Sequence, residues 1–312
     1  MKLQDALLNE TKDKLKDLAN TLRQSGISKL KKHDLVDRIE ALLKEEGVLH
    51  FVLNLLDEKC HSLLKRALRE KIFITEGNLD QLMMLRRYGI VYQDAAYMIV
   101  PEDLAISIRK IITKEFYVNH KKFQWLFRCM LFAGDFYGIF TIQDLMDLLK
   151  LNKKVRYTSD VSASIDELIH FVPLFYKQDN EYISMSACSY GIEELRLEQE
   201  GKKRFIPTVE QIDFYYENGY LTNQYYQVLI NELKKRIDDD YIIVLITKTF
   251  FSKVLLGETT ENAITYLISE LEPEDEMEAF FLASVAIQTY NNTNMITNKG
   301  KTPIQTRKEQ NK

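Results

Sequence analysis

At 312 residues, with 46% hydrophobic and 28% charged side chains, the chain has room for two or three domains and the balance of a globular protein. Its 11 glycines and 5 prolines are too few for the turns of an all-β fold, so a mostly helical chain is expected. A net charge of -4 excludes a uniformly basic nucleic-acid binder but leaves room for a local basic patch. No apolar run reaches the roughly 18 residues of a membrane span, and Met1-Lys2-Leu3-Gln4-Asp5 lacks a signal-peptide core. The expected compartment is therefore the cytoplasm. Cys60, Cys129 and Cys188 are odd in number and widely spaced, which suits neither a disulfide framework nor paired CxxC zinc ligands. They read as small apolar residues.

Residues 1–46 form the first expected unit. Leu15, Leu18, Ala19 and Leu22 recur at helical spacing, as do Leu35, Val36, Ile39, Leu42 and Leu43. Between them, Gly26 is expected to end the first helix in the left-handed conformation and Ser28 to cap the second. Opposite the apolar stripes lie Lys12, Lys14 and Lys16 on one helix and Lys29, Lys31 and Lys32 in the link. The stretch from Gly26-Ile27-Ser28-Lys29-Leu30-Lys31-Lys32-His33-Asp34 through Leu35-Val36-Asp37-Arg38-Ile39 resembles the N-terminal helical domain of the Rho transcription termination factor, and more loosely a SAP domain. The resemblance covers residues 11–46 and implies a small helical module associated with nucleic acid. It does not extend to the barrel through which Rho mainly grips RNA.

The next two units, 47–118 and 119–206, read as diverged copies of a winged-helix order. In the first, helices over about 48–56, 58–68 and 79–87 precede a hairpin, Ile90–Gln93 and Tyr97–Val100. In the second, helices over about 123–133, 142–150, capped by Thr141, and 165–171 precede the hairpin Leu174–Lys177 and Glu181–Ser184. Tyr97 and Tyr182 are expected to open equivalent return strands and to be packed. Pro207 then opens an acidic helical domain, 207–290, with helices expected at 209–217, 223–237, 241–254, 258–270 and 274–290. Residues 209–290 hold 15 acidic and 5 basic side chains, a net of -10. The remainder, 291–312, carries about +4 from Lys299, Lys301, Arg307, Lys308 and Lys312 against Glu309 and reads as a basic flexible tail. Within it, Tyr290-Asn291-Asn292-Thr293-Asn294-Met295 and Asn298-Lys299-Gly300-Lys301-Thr302-Pro303 resemble the segment preceding a SEC-C zinc motif in bacterial proteins. That family's cysteine-rich site is absent here, so no metal is carried over. The expected fold is thus mainly α: a helical hairpin module, two winged-helix-like units with short β-hairpins, and an all-helical C-terminal domain.

Chemistry is sparse. GxGxxG, GxxxxGK[ST], GxSxG and HExxH are all missing. Glu58-x-x-His61 and Glu167-x-x-His170 repeat the ligand spacing of di-iron carboxylate bundles, but on short helices without the two further glutamates, so they read as solvated helix-surface residues. His33, His50 and His120 have no nucleophile or carboxylate at a recognised spacing and read as surface or half-buried histidines. Trp125, Phe127, Phe132, Phe136, Tyr137 and Phe140 suit core packing better than base stacking. So do Tyr215, Tyr216, Tyr220, Tyr225 and Tyr226 for interhelical packing. The expected contact site for DNA or RNA is Lys29, Lys31 and Lys32 at a helix start, helped by Lys12, Lys14 and Lys16. Arg86 and Arg87 close the first recognition-helix candidate. The leading expectation is a non-enzymatic, nucleic-acid-associated regulatory protein that binds phosphate backbones weakly. It needs no cofactor and no metal, and it involves no membrane. The alternative is a protein-interaction scaffold built on the winged units and acidic helices.

Overall fold

In a computed structural model, residues 1–157 and 161–310 are described; Lys312, counted above in the tail charge, lies outside them. The chain divides into two compact units, Met1–Gln124 and Trp125–Lys312. It is mainly helical, with two three-stranded antiparallel sheets. The boundary expected after residue 46 falls inside the first unit. Among the described residues no helix is long and apolar enough to cross a membrane.

The first unit starts with α1 (Leu3–Asn9), α2 (Lys12–Thr21) and α3 (Lys32–Lys44). The sequence reading missed α1, because about two turns carrying Leu3, Ala6 and Leu7 are too short to establish a period. Thr11 caps α2 by accepting from the Lys14 amide at 3.3 Å. Leu35, Val36, Ile39 and Leu43 make α3 the central helix, packed against α1, α2, α4 (Glu46–Leu55) and α7 (Glu102–Ile111). Each such fully buried aliphatic side chain contributes roughly 1.5–3 kcal/mol. The expected caps are corrected. Arg23, at φ 61°, takes the left-handed position just after α2, and Gly26 bends the following loop at φ 71°. Lys31, not Ser28, stands at the N-cap of α3, and its side chain makes no capping bond.

After α5 (Glu58–Ala67) come β1 (Ile72–Phe73), α6 (Leu79–Arg87), β2 (Tyr92–Asp94) and β3 (Tyr97–Ile99). The sheet order is β1-β3-β2, a hairpin whose return strand also pairs the strand that follows α5. Two residues are too few to show alternation, which is why β1 was not expected. In β3 only Met98 points inward, so Tyr97 is 41% exposed and meets Phe73 edge-on at 5.5 Å. The expectation that Tyr97 packs inside is overturned by one residue of register. α8 (Lys114–Phe136) extends the helix expected over 123–133, and the unit boundary lies within it.

The second unit has β4 (Ile139–Thr141), α9 (Ile142–Leu149), α10 (Val161–Phe171), β5 (Phe175–Gln178) and β6 (Glu181–Ser184), with two α-helices between its first strand and its hairpin where the first unit has one, and its sheet runs β4-β6-β5. Here the register puts Glu181 opposite Gln178 and makes buried Tyr182 the counterpart of Met98, not of Tyr97. α11 (Met185–Tyr190), α12 (Ile192–Gln199) and α13 (Val209–Asn218) lead to α14 (Gln224–Lys234), α15 (Asp240–Leu255), α16 (Thr260–Leu271) and α17 (Glu276–Asn291). In this last group each helix packs on the next and α17 returns to α14. Their core holds Tyr226, Leu229, Phe250, Phe251, Leu267 and Leu282.

The segment expected to be a flexible tail is instead built into this unit. A short 3-10 turn, Ile296–Asn298, precedes α18 (Pro303–Gln310), and Ile296 joins Ile139, Ile183, Ala187 and Leu195 in a core cluster. Asn294, Thr297 and Asn298 are buried. Asn294 Nδ2 donates to the Gly300 carbonyl at 2.5 Å, Gln199 Nε2 to that of Ile296 at 2.6 Å and Lys202 Nζ to that of Thr297 at 3.1 Å. Polar composition misled here because these groups are satisfied by one another rather than by water.

Candidate functional site

The basic residues expected to bind phosphate do not act as one group. Lys14 reaches Glu10 at 3.4 Å and Lys16 reaches Asp13 at 4.0 Å. Lys32 turns back, donating to the Leu8 carbonyl at 2.6 Å. Lys12, Lys29 and Lys31 are exposed and make no ion pair among the described residues. Lys29 precedes α3 and Lys31 caps it, so two free ammonium groups sit near the positive end of the helix dipole.

The recognition-helix candidates carry other chemistry. On α6, Arg86 donates to Glu10 at 2.9 Å and to Gln93 at 3.4 Å. Arg87 is exposed without an ion pair among the described residues. The rest of that exposed face is Leu79, Asp80, Met83 and Met84. On α10 the exposed side chains include Asp166, Glu167 and His170, and carboxylates at this position repel a phosphate backbone.

Between α2 and α6 lies a groove of about 700 Å3, with Leu15, Leu18, Met83, Met84 and Tyr92 along its apolar surface. Tyr92 is only 3% exposed, and its hydroxyl has no hydrogen-bond partner. Burial, with the Glu10 carboxylate nearby, pushes that phenol well above its ordinary range, so it stays a neutral O–H donor. Sequence reasoning took α2 and α6 as separate modules and missed this site. The only signal was the pair Met83-Met84 facing outward on an otherwise amphipathic helix.

The paired Glu-x-x-His motifs come apart. His61 is buried, not on a solvated surface: its Nε2 donates to the Leu53 carbonyl at 2.8 Å, and its ring lies 4.5 Å from that of His120, also buried and not half-exposed. Phe116 and Tyr117 complete this aromatic cluster. Glu58, Glu167 and His170 are exposed. Among the described residues no group of three or more His, Cys, Asp or Glu is placed to hold a metal. Cys60 and Cys129 are buried and Cys188 is half-buried, and burial pushes the Cys60 thiol up to about 12, away from reactive thiolate chemistry.

The acidic helices hold the least expected surface. α17 buries Leu282, Ala286, Thr289 and Tyr290, yet its opposite side exposes Met277, Phe280 and Phe281, the first two 83% and 79% exposed. α15 similarly exposes Tyr241, Ile242 and Leu245. Apolar side chains grouped on the outer face of a helix whose other face is already packed mark a surface that a partner can cover. Both stripes begin at acidic caps. Asp239 accepts from the Tyr241 amide and Asp275 from the Glu278 amide, each at 2.8 Å, while Asp238, Asp240, Glu274 and Glu276 stand exposed beside them. Sequence reading counted the charge and the helices but not the apolar residues left over once the helices had packed.

The chain has no match among protein-family models, curated proteins or solved structures.

Proposed function

We propose that this protein is a non-enzymatic interaction scaffold whose acidic C-terminal helices seat a partner protein. The observation that carries this reading is the α17 stripe of Met277, Phe280 and Phe281, apolar and exposed on a helix already packed along its other face. Contiguous apolar surface rimmed by polar groups marks interaction sites. α10 supports the same reading, since it presents the carboxylates of Asp166 and Glu167 where a nucleic-acid binder needs free cations. The test is affinity capture with quantitative mass spectrometry on wild type and Met277→Ser/Phe280→Ser, with thermal unfolding of both. A partner held by wild type and lost in the equally stable variant is expected. An identical captured set overturns the scaffold reading.

A second reading rests on Lys29 and Lys31, both exposed and without ion pairs among the described residues, at the start of α3. Together with the resemblance to the Rho N-terminal domain, they suit weak contact with a nucleic-acid backbone. Two phosphate contacts give a log-log salt slope of about -1.4 on single strands or about -1.8 on duplex DNA. Anisotropy across a salt series on wild type and Lys29→Ala/Lys31→Ala checks it. An unchanged slope in the variant removes this site.

A further inference from the structure

The stripe on α17 ends differently at its two ends. At about 100° per residue, Met277, Phe280, Phe281, Ser284 and Ile287 fall within an outer sector of about 120°, opposite the buried Leu282, Ala286 and Tyr290. At the N-terminal end stand Glu272, Glu274, Asp275 and Glu276, all exposed and without an ion pair among the described residues. α14 runs antiparallel to α17, since Asn223 Nδ2 donates to the Asn292 carbonyl at 2.9 Å and Arg236 pairs with Glu278. It therefore brings its last cations to this end, but they are engaged: Lys234 with Asp240 at 3.3 Å, Lys235 with Glu232 at 2.7 Å, and Arg236 with Glu278 and with Glu232 at 3.6 Å.

The C-terminal end carries the other sign. Asn291 lies in the same sector, and its Oδ1 accepts from Arg307 Nη2, which holds the exposed Arg307 and Lys308 of α18 at this end of the stripe. Of the carboxylates on this side, Glu309 pairs with Lys301 at 2.5 Å and Glu258 accepts from Asn262 at 2.7 Å, while Glu261 of α16 is exposed. The 16 residues of α17 span about 24 Å, more than twice the Debye length of about 10 Å, so each end meets its own counter-charge. An apolar stripe with an acidic and a basic end is complementary to itself turned end for end.

We propose that α17 is the interface of a two-fold symmetric dimer, in which a second copy of this chain lays its own α17 antiparallel on this one. The inference rests on the reading of α17 as the surface that seats a partner, and it names that partner. Met277 then packs on Ile287 of the second copy, and the Phe280 ring covers Ser284, whose small side chain leaves room for it. Arg307 and Lys308 face Glu272 and Glu274 of the second copy. Each contact occurs twice, and the assembly closes at two chains. At about 200 Å2 for a side chain of this size, the exposures of Met277, Phe280, Phe281 and Ile287 leave about 500 Å2 per copy. The pair covers about 1,000 Å2, the lower limit of a specific interface, so association is reversible.

The experiment is sedimentation velocity of the full chain between about 1 and 100 µM, the range in which an interface of this size associates. Wild type is expected to pass from monomer to dimer, and Met277→Ser/Phe280→Ser to stay monomeric with unchanged circular dichroism. Arg307→Glu/Lys308→Glu makes both ends acidic, and Glu272→Lys/Glu274→Lys/Glu276→Lys makes both ends basic. Each alone is expected to associate at least about tenfold more weakly than wild type, because like charges meet. Mixed in equal amounts, the two variants should recover dimerisation, since every end contact then joins unlike charges. Parallel pairing or contact through another face does not give this pattern. A wild type that stays monomeric, a dimer that survives Met277→Ser/Phe280→Ser, or charge variants that do not recover on mixing overturns the proposal. A monomeric wild type refutes self-pairing alone and leaves the scaffold reading to the capture experiment, so the two fail separately.

Discussion

Gly134→Ala sets helix propensity against packing. Gly134 lies inside α8 with ordinary helical geometry, so propensity alone predicts a gain of about 1 kcal/mol for alanine. The structure predicts the opposite. A Cβ at this position stands 2.4 Å from Phe175 Cε1, 3.0 Å from Phe175 Cζ and 3.2 Å from Ser184 Cβ. Phe175 is buried against Phe140, ring centroids 5.9 Å apart, and Ser184 Oγ donates to the Gly134 carbonyl at 2.7 Å, so neither neighbour yields freely. Reaching ordinary contact requires the ring or the helix to move by about 1 Å, and such overpacking costs roughly 1–3 kcal/mol. At this severity the upper end applies, and after subtracting the propensity gain the net is about 2 kcal/mol of destabilisation. For a unit of this size that corresponds to a fall in Tm of about 4–8 °C. Gly47→Ala is the control: it sits in α4 with nothing within 4 Å of the added atom and should gain about 0.5–1 kcal/mol. Urea denaturation followed by the single tryptophan, Trp125, and by circular dichroism measures both. A Gly134→Ala variant as stable as wild type refutes the close approach, and recovery in Gly134→Ala/Phe175→Leu is the expected confirmation.

Thr141→Ala removes a reciprocal cap on α9, in which the Asp144 amide donates to Thr141 Oγ1 at 3.3 Å and the Thr141 amide to Asp144 Oδ2 at 2.7 Å, and should cost about 1–2 kcal/mol by urea midpoint. Burial, opposed by the bond to the Leu53 carbonyl, holds His61 below its ordinary 6.5. The unfolded chain therefore binds that proton more readily, and the first unit keeps its full stability above about pH 6.5 and loses it as the pH falls below. His61→Gln should flatten this loss between about pH 7.5 and 5.5, and equal slopes in both proteins would remove His61 as its source. EDTA should leave thermal unfolding unchanged, because Glu58, Glu167 and His170 are exposed side chains that join no metal-holding group; stoichiometric zinc or iron lost in His61→Ala or His170→Ala would contradict this.

Local pattern carried most of the element order. The apolar periods of α2, α3 and α6 and the Thr141 cap are encoded within a few residues of one another, so spacing was enough to place these helices and both hairpins. The short α1 and α11 and the strands β1 and β4 carry too few residues to show a pattern, and α7, α12 and α18 likewise appear only in the fold. The site was less legible still. Arg86 reads as a free cation until the turn between α1 and α2 brings Glu10 to it, and Tyr92 reads as a hairpin residue until packing buries its hydroxyl without supplying a partner. The polar run from Thr293 to Lys301 looks solvated until Gln199 and Lys202 meet its carbonyls. By itself the sequence determined what repeats along the chain: helix periods, caps, turn residues and the acidic block. Tertiary structure decided which polar groups are spent on each other and which apolar faces remain uncovered, because burial and pairing depend on residues far apart in sequence whose proximity no local period encodes.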